Sequence, residues 1–330
     1  MIYIVCPTSD RKRLSFYLAM EEHVARHLNT GDDCFFMWQV DPSVIFGRNQ
    51  LTEAEVNLDF CREHGIETYR RKSGGGCVYA DRTNIMFSYI TRDEQVNFTF
   101  NRYVNMVALM LCRLGIDARP TGRNDILIDG RKVSGNAFYH ISGHSIVHGT
   151  MLYDTCLENM VGAITPSDRK LVSKGVKSVR QRIALLKDYT DLTLEEFKDF
   201  VRRNLCQEEL TLGEQDIRAI EEIEKEYLSD AFIFGKNPAY SVVNRQRIEG
   251  VSELEVRMQV KGNHIRDINL MGDFFLVGDL DNCLLKPLIG VELKEEKVRE
   301  VIPERLEDII LNLKREEFVS LIINNKPYKL

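Results

Sequence analysis

Three consecutive glycines, Gly74, Gly75 and Gly76, follow a pair of arginines in the segment RRKSGGGCVYAD (70–81). Glycine loses more backbone entropy on folding than any other residue, so such a run does not belong inside an ordinary helix or strand. A loop without Cβ atoms lets a ligand reach the backbone, and successive N–H groups can converge on an anion. The segment therefore predicts an anion-binding loop, with a solvated surface loop as the alternative.

The two arginines beside the glycines favour anion binding. Arginine presents planar, permanently protonated donors that match phosphate or carboxylate. If a strand precedes the loop, Arg70 and Arg71 point to opposite faces and have different roles. The segment is neither a Walker A loop, which needs Gly-Lys-Ser/Thr, nor a G-x-G-x-x-G motif.

Composition limits the class of protein. A chain of 330 residues suggests two domains, or one large domain with an appendage. Its 44% apolar and 28% charged residues are typical of a soluble globular protein. The net charge of −6 gives no basic surface for nucleic acid. No run approaches the roughly 18 apolar residues that span a membrane, so we expect no membrane partner. Eight cysteines without a C-x-x-C pair predict a reduced, cytoplasmic protein.

Helical and strand patterns are mixed without strict βαβ alternation, which predicts the α+β class. We expect a large catalytic domain at residues 1–245, built from mixed and antiparallel sheets with helices. A small α+β accessory domain follows at 246–330, and the polar stretch at 235–250 predicts a linker. Thr193, followed three residues later by Glu196, predicts a helix that begins with a capping box.

A hairpin is predicted in NDILIDGRKVSGNAF (124–138), because its Asp-Gly pair at 129–130 is a strong turn signal between β-rich segments. A two-residue loop pairs Ile128 with Arg131 and Leu127 with Lys132. Side-chain alternation then puts Asp125, Leu127, Lys132 and Ser134 on one face, and Asn124, Ile126, Ile128, Arg131 and Val133 on the other. A lysine can stabilise charge that develops on an acyl or phosphoryl group. Lys132 is therefore a candidate catalytic residue, with a surface lysine beside a turn as the alternative.

Histidines and cysteines give weaker signals. His140, His144 and His148 recur every four residues, which on a helix would indicate metal ligands, but the neighbouring glycines favour strand and loop. His23, on the first predicted helix, is expected to be solvated. Cys77 is a candidate nucleophile because the nearby Arg71 favours its thiolate, or else a small apolar filler. The absence of G-x-S-x-G gives no support for a serine hydrolase, and the sequence assigns no metal ligand.

Four ordered stretches resemble the lipoate–protein ligase A family of the biotin/lipoate ligase superfamily. They are RRKSGGGCVYAD (70–81), GRNDILIDGRKVSGNAF (122–138), HGTMLY (148–153) and SKGVKSVRQRI (173–183). The resemblance covers residues 14–185, and the small domain after residue 250 fits it without a sharp motif.

The resemblance implies an ATP-dependent ligase that activates lipoate to lipoyl-AMP, with Mg²⁺, and transfers the lipoyl group to a lysine of a carrier domain. The implied carriers are lipoyl domains of 2-oxoacid dehydrogenase E2 subunits, the glycine cleavage H protein, or both. Lys132 is then the main catalytic residue and contacts both substrates. The implied ATP-binding residues are Arg71, Gly76, Cys77, Val78, Tyr79 and Lys132, and the implied lipoate-binding residues are Lys132, Arg70 and Gly75.

Two departures from the family pattern leave alternatives open. Ala80 stands where the family usually has histidine, and Cys77 where alanine is common. A cysteine-dependent octanoyl or lipoyl transferase without ATP would use Cys77 as its nucleophile. A non-catalytic lipoate-binding or carrier-docking protein would account for Ala80. Biotin ligases share the fold but usually carry a different glycine–arginine loop.

Overall fold

The computed structural model describes residues 1–7, 12–28, 30–92, 96–121, 124–164, 179–234 and 242–323. The strands are β1 Ile2–Val5, β2 Cys34–Trp38, β3 Ser43–Phe46, β4 Glu67–Arg70, β5 Val78–Ala80, β6 Ile85–Thr91, β7 Ala118–Pro120, β8 Asp125–Ile128, β9 Arg131–Ile141, β10 His144–Met151, β11 Glu208–Thr211, β12 Val242–Ile248, β13 Ser252–Lys261 and β14 His264–Gly272. The helices are α1 Leu14–His27, α2 Thr52–Glu55, α3 Leu58–Glu63, α4 Val96–Cys112, α5 Leu157–Ala163, α6 Leu194–Leu205, α7 Glu214–Tyr227, α8 Asp230–Ile233, α9 Lys286–Leu288, α10 Glu295–Val301 and α11 Arg315–Ile323.

Packing divides the chain into two compact units. The first comprises Met1–Phe46, Thr52–Arg71 and Cys77–Ile233. The second comprises Gly47–Leu51, Lys72–Gly76 and the chain from Phe234 onward. None of the helices in the described ranges is both long and apolar enough to cross a membrane.

The first unit contains a large mixed sheet with the strand order β11-β1-β2-β6-β10-β9-β8-β7. Strand β1 runs parallel to β11 and β2, and the other neighbours are antiparallel. A small sheet, β4-β3-β5, carries the segment that leads into the glycines. This architecture confirms the predicted α+β class with mixed and antiparallel sheets.

Helix α1 forms where the apolar spacing predicts it, and Leu14, Leu18 and Val24 are buried on its inner face. The prediction that His23 is solvated is wrong. Its side chain is buried, and its Nε2 lies 2.9 Å from Oδ1 of Asp216 on α7. Helix α7 packs against α1 in the first unit, so the outer face of α1 that holds His23 is covered.

The predicted capping box at the start of α6 is confirmed. Oγ1 of Thr193 accepts a hydrogen bond from the backbone N–H of Glu196 at 3.3 Å. Oε2 of Glu196 accepts one from the backbone N–H of Thr193 at 2.8 Å. The backbone N–H and the hydroxyl of Thr193 both donate to the Glu196 carboxylate and hold the pKa of Glu196 below its ordinary value, so the cap persists at neutral pH.

The second unit has its own core, formed by the antiparallel sheet β12-β13-β14 and the helices α9 to α11. The predicted linker is wrong for residues 242–248, which form β12. Asn244 and Ile248 point into the core, whereas the polar run Arg245–Arg247 between them is exposed. Three consecutive exposed residues show no two-residue alternation, so the sequence pattern did not indicate a strand here. Residues 235–241 of that linker lie outside the described residues.

All eight cysteines are free thiols, and their burial predicts a clear order of reactivity. Burial raises the pKa of Cys206 to about 12, whereas Cys112, Cys156 and Cys283 are exposed. We expect iodoacetamide at pH 8.5 to alkylate the exposed three first, because the thiolate is the reactive form. Peptide mass mapping at successive pH values measures this. Alkylation of Cys206 in the folded protein as fast as Cys112 would contradict it.

Candidate active site

Lys132 lies at the start of β9, next to the two-residue turn that the sequence predicts. Asp129 and Gly130 have φ values of +51° and +72°, as an Asp-Gly turn of the I′ type requires. The predicted pairs Ile128–Arg131 and Leu127–Lys132 are confirmed.

The predicted shared face is right for Asp125 and Lys132 but wrong for Ser134. The register shifts after Leu127, so Ile126 pairs with Ser134 and Asp125 pairs with Gly135. Ser134 therefore lies on the buried face with Ile126. The cause is a change of partners along β9.

The ammonium group of Lys132 forms an ion pair with Asp125, with Nζ 2.7 Å from Oδ1. The two side chains are 39% and 30% exposed, so the pair opens to solvent. Gly135 makes room for it: a Cβ at that position would lie 2.6 Å from both Cε and Nζ of Lys132. The missing side chain at Gly135 thus sets the path of the lysine.

The family resemblance implies that Lys132 is catalytic, so we expect Gly135→Ala to lower adenylation at least about tenfold while the protein stays folded, because a misplaced catalytic group loses rate steeply. The backbone at Gly135 tolerates alanine, since its φ lies outside the left-handed region. Lipoate-dependent exchange of pyrophosphate into ATP measures the effect. Gly213→Ala is the control, because its Cβ would meet only Oδ2 of Asp216, at 3.6 Å. Full exchange by Gly135→Ala would contradict the prediction.

The backbone of Lys132 is held by residues 182–184, which lie beside it where β10 has ended. Its N–H donates to the carbonyl of Arg182, and its carbonyl accepts from the N–H of Ala184, both at 2.8 Å. The carbonyl of Val133 instead accepts from Leu152 at 2.9 Å. This change of partners accommodates the extra residue in β9.

Tyr189, which follows a short 3-10 turn at Leu186–Asp188, forms hydrogen bonds with the hairpin turn. Its hydroxyl donates to Oδ2 of Asp129 at 3.0 Å and accepts from Nη2 of Arg131. Burial, together with the hydrogen bond to Asp129, raises the pKa of Tyr189. The phenol therefore stays protonated and keeps its donor at neutral pH.

The two arginines before the glycines are buried and have different partners. Arg70 lies over the ring of Phe46 at 4.6 Å, and its Nε donates to the carbonyl of Ile233 at 2.8 Å. Nη1 of Arg71 donates to the carbonyl of Ile45 at 3.1 Å. A solvated loop with two surface arginines is therefore excluded.

In the second unit, the glycines allow close backbone packing that the sequence did not predict. The N–H of Gly75 donates to the carbonyl of Phe274 at 3.0 Å, and Gly75 has a φ of +86°. A Cβ on Gly74 would lie 2.2 Å from that same carbonyl oxygen, and a Cβ on Gly47 2.2 Å from the carbonyl oxygen of Gly75. The backbone segments approach so closely that neither Gly74 nor Gly47 has room for a side chain. Gly76 is less crowded, with only Asp273 near a Cβ, at 3.4 Å.

Strand β5 continues from the glycines. The side chain of Cys77 packs, half-buried, against the apolar cluster that contains Tyr79. Tyr79 is fully buried, and its hydroxyl accepts from Nδ2 of Asn159 at 3.3 Å. Burial raises the pKa of Tyr79, so its phenol stays uncharged within the apolar cluster. Ala80, the departure from the family pattern, is also fully buried.

A buried polar network is the main feature that the sequence analysis missed. Oε1 of Glu21 accepts from Oγ of Ser88 at 2.6 Å, and its Oε2 lies 2.9 Å from Nδ1 of His148. Nε1 of Trp38 donates to the same serine oxygen at 2.9 Å. The sequence signal that could have revealed this network is the presence of two acidic residues, Glu21 and Glu22, among the apolar positions of the first helix.

The three histidines lie on the strands β9 and β10, as the neighbouring glycines favoured. Only His148 of the three is buried. In the described residues, no group of three or more His, Cys, Asp or Glu side chains is arranged to hold a metal ion. Residues 122–123 and 173–178 of the resembling stretches lie outside the described residues.

Comparison with known proteins identifies the family. The model of the lipoyl protein ligase A/B catalytic domain matches residues 14–206, and that of the bacterial lipoate protein ligase C-terminus matches residues 237–322. Lipoate-protein ligase LplJ of Bacillus subtilis is 35% identical over 321 residues, which cover 92% of this chain and 95% of that protein.

Solved structures agree with these matches. A bi-partite lipoate protein ligase of Thermoplasma acidophilum, described with its E2 lipoyl domain, has a TM-score of 0.64 and 28% identity, covering 73% of this chain and 98% of its own. A lipoate-protein ligase A bound with ATP has a TM-score of 0.59 and 25% identity, covering 71% of this chain and 97% of its own. The chain therefore belongs to the lipoyl protein ligase A/B family.

Proposed function

We propose that Lys132 is the main catalytic residue of this ATP-dependent lipoate–protein ligase. The single observation that carries the proposal is the ammonium group of Lys132, held by Asp125 in a path that Gly135 leaves open. A fixed cation that is open to solvent on one side can receive two anionic substrates. The ion pair with Asp125 keeps the charge in place before they bind.

The ligase reaction has two steps. In the first, a lipoate carboxylate oxygen attacks the α-phosphorus of ATP, the bond to the bridging oxygen breaks, and pyrophosphate leaves. Lys132 stabilises the negative charge that develops on the phosphoryl group. In the second, a carrier lysine amine attacks the lipoyl carbonyl, AMP leaves, and the amine loses a proton. Exclusion of water protects the mixed anhydride between the steps.

Mg²⁺ is bound in nucleotide sites through one or two carboxylates together with substrate phosphates. Asp125 fits this mode, because its carboxylate lies within ion-pair distance of Lys132 and is 30% exposed. We assign Asp125 as the residue that would hold the metal, which would neutralise phosphate charge when bound.

The remaining site residues are proposed from the family resemblance. Arg71, Gly76, Cys77, Val78 and Tyr79 would form the ATP side, and Arg70 and Gly75 the lipoate side, together with Lys132. The burial of both arginines supports a structured site, since buried guanidinium groups need fixed partners. ATP-independent transfer through Cys77 is not favoured, because the relatives are ligases and one is bound with ATP.

Carrier, location and domain boundary are also proposals. The Thermoplasma ligase is described with an E2 lipoyl domain, which supports a lipoyl domain as the acceptor here. E2 subunits of 2-oxoacid dehydrogenases and the glycine cleavage H protein are the candidates. The cytoplasmic location and the division into residues 1–245 and 246–330 stay predictions.

The test is lipoate-dependent exchange of labelled pyrophosphate into ATP, with octanoate and biotin as control acids. We expect exchange with lipoate and none with biotin. Lipoylation of purified E2 lipoyl domain and of H protein, followed by mass spectrometry, then identifies the acceptor. A folded protein that lipoylates a carrier without ATP would overturn the adenylation mechanism.

A further inference from the structure

One tyrosine holds both sides of the turn from which Lys132 extends. Tyr189 donates to Asp129 on one side of Gly130 and accepts from Arg131 on the other. The Arg131 guanidinium also lies 5.9 Å from the centre of the Tyr189 ring. Tyr189 lies outside the hairpin. Its two side-chain hydrogen bonds restrain the turn that joins β8 and β9.

The segment that carries Tyr189 is the one that binds the backbone of Lys132. Arg182 and Ala184 hold the peptide groups of Lys132, and the N–H of Leu186 donates to the carbonyl of Leu152 at 2.7 Å. The segment 182–189 is therefore fixed to the sheet at Lys132 and, seven residues after Arg182, to the turn at Tyr189. Lys132 is the first of these attachment points and directly follows Arg131, which belongs to the second.

Side-chain direction separates Tyr189 from the reacting groups. Arg131 and Lys132 are neighbours on β9, so their side chains point to opposite faces. The ammonium group of Lys132 lies at Asp125, whereas Tyr189 binds Arg131. Tyr189 can influence the reaction only through the hairpin.

We propose that Tyr189 is a positioning residue of this ligase, whose hydroxyl fixes the hairpin turn and thereby the direction in which Lys132 presents its ammonium group. The inference rests on the proposed role of Lys132. Nζ stands at the end of a long, flexible side chain, so a small rotation of the turn displaces it. A displacement of about 1 Å can lower a rate by up to about a hundredfold.

The test compares Tyr189→Phe with wild type in the first turnover, where the rate and amplitude of pyrophosphate release are measured separately. We expect the rate to fall about five- to twentyfold at full amplitude. The thermal midpoint should change by no more than about 3 °C, because exposed polar contacts contribute about 0–1 kcal/mol. A merely structural role would instead lower the amplitude and the thermal midpoint.

Tyr89→Phe is the matched control. Tyr89 also donates its hydroxyl to an aspartate, Asp33, at 2.6 Å, and both residues lie outside the hairpin. Its rate of pyrophosphate release should equal that of wild type. A rate for Tyr189→Phe equal to that of Tyr89→Phe would overturn the inference. If Lys132→Ala also retained the wild-type rate, the proposed function of Lys132 would fail as well, which separates the two failures.

Discussion

Lys132→Ala should abolish lipoate-dependent pyrophosphate exchange, with a loss of at least about 10²–10³-fold, and leave the protein folded. The loss follows because the ammonium group is the charge proposed to stabilise the developing phosphoryl oxyanion, and a single such donor has an effect of this size. The fold should survive because the ion pair with Asp125 is partly exposed, and exposed pairs contribute about 0–1 kcal/mol.

Lys198→Ala on α6 is the control for removal of a lysine from an ion pair. Nζ of Lys198 lies 2.9 Å from Oε2 of Glu195, and the two side chains are 26% and 74% exposed. The control should keep exchange near the wild-type rate. Near-normal exchange by Lys132→Ala, or an equal loss in both variants, would rule out the catalytic assignment.

Local signals in the sequence were enough to place Lys132. The Asp-Gly turn determines its own backbone geometry, so the pairing of the first residues after it is predictable. The prediction fails at Ser134, only two residues beyond Lys132. There the register depends on Arg182, Ala184 and Leu152, which are distant in sequence. Local pattern cannot report a partner supplied by another part of the chain.

The same limit explains the glycines and His23. The run at 74–76 indicates that side chains are excluded, but the pattern does not identify what excludes them. At Gly74 it is the carbonyl of Phe274, two hundred residues away. His23 has the pattern of a surface residue on α1, and it is buried because α7 covers that face. Burial of a polar residue depends on tertiary packing, so it appears only in the structure.

Glu21→Ala should destabilise the first unit by about 3–5 kcal/mol, because it removes the acceptor of two buried polar groups, and each such group left unsatisfied costs about 1–3 kcal/mol. Glu21 is fully buried, and its carboxyl group is the acceptor for Ser88 and the partner of His148. Alanine would leave a buried hydroxyl and a buried imidazole without that acceptor and would open a cavity beside them. The thermal midpoint should therefore fall by at least about 6–10 °C.

Glu21→Gln and Glu195→Ala separate the causes of that loss. Glutamine keeps the volume and one acceptor oxygen, so it should recover part of the stability. If the cavity alone caused the loss, glutamine would recover all of it. Glu195 is 74% exposed in its pair with Lys198, and its removal should cost only about 0–1 kcal/mol. Equal thermal midpoints for Glu21→Ala and Glu195→Ala would show that the buried network does not stabilise the unit. Its carboxyl group would then have to be explained by a role other than stability.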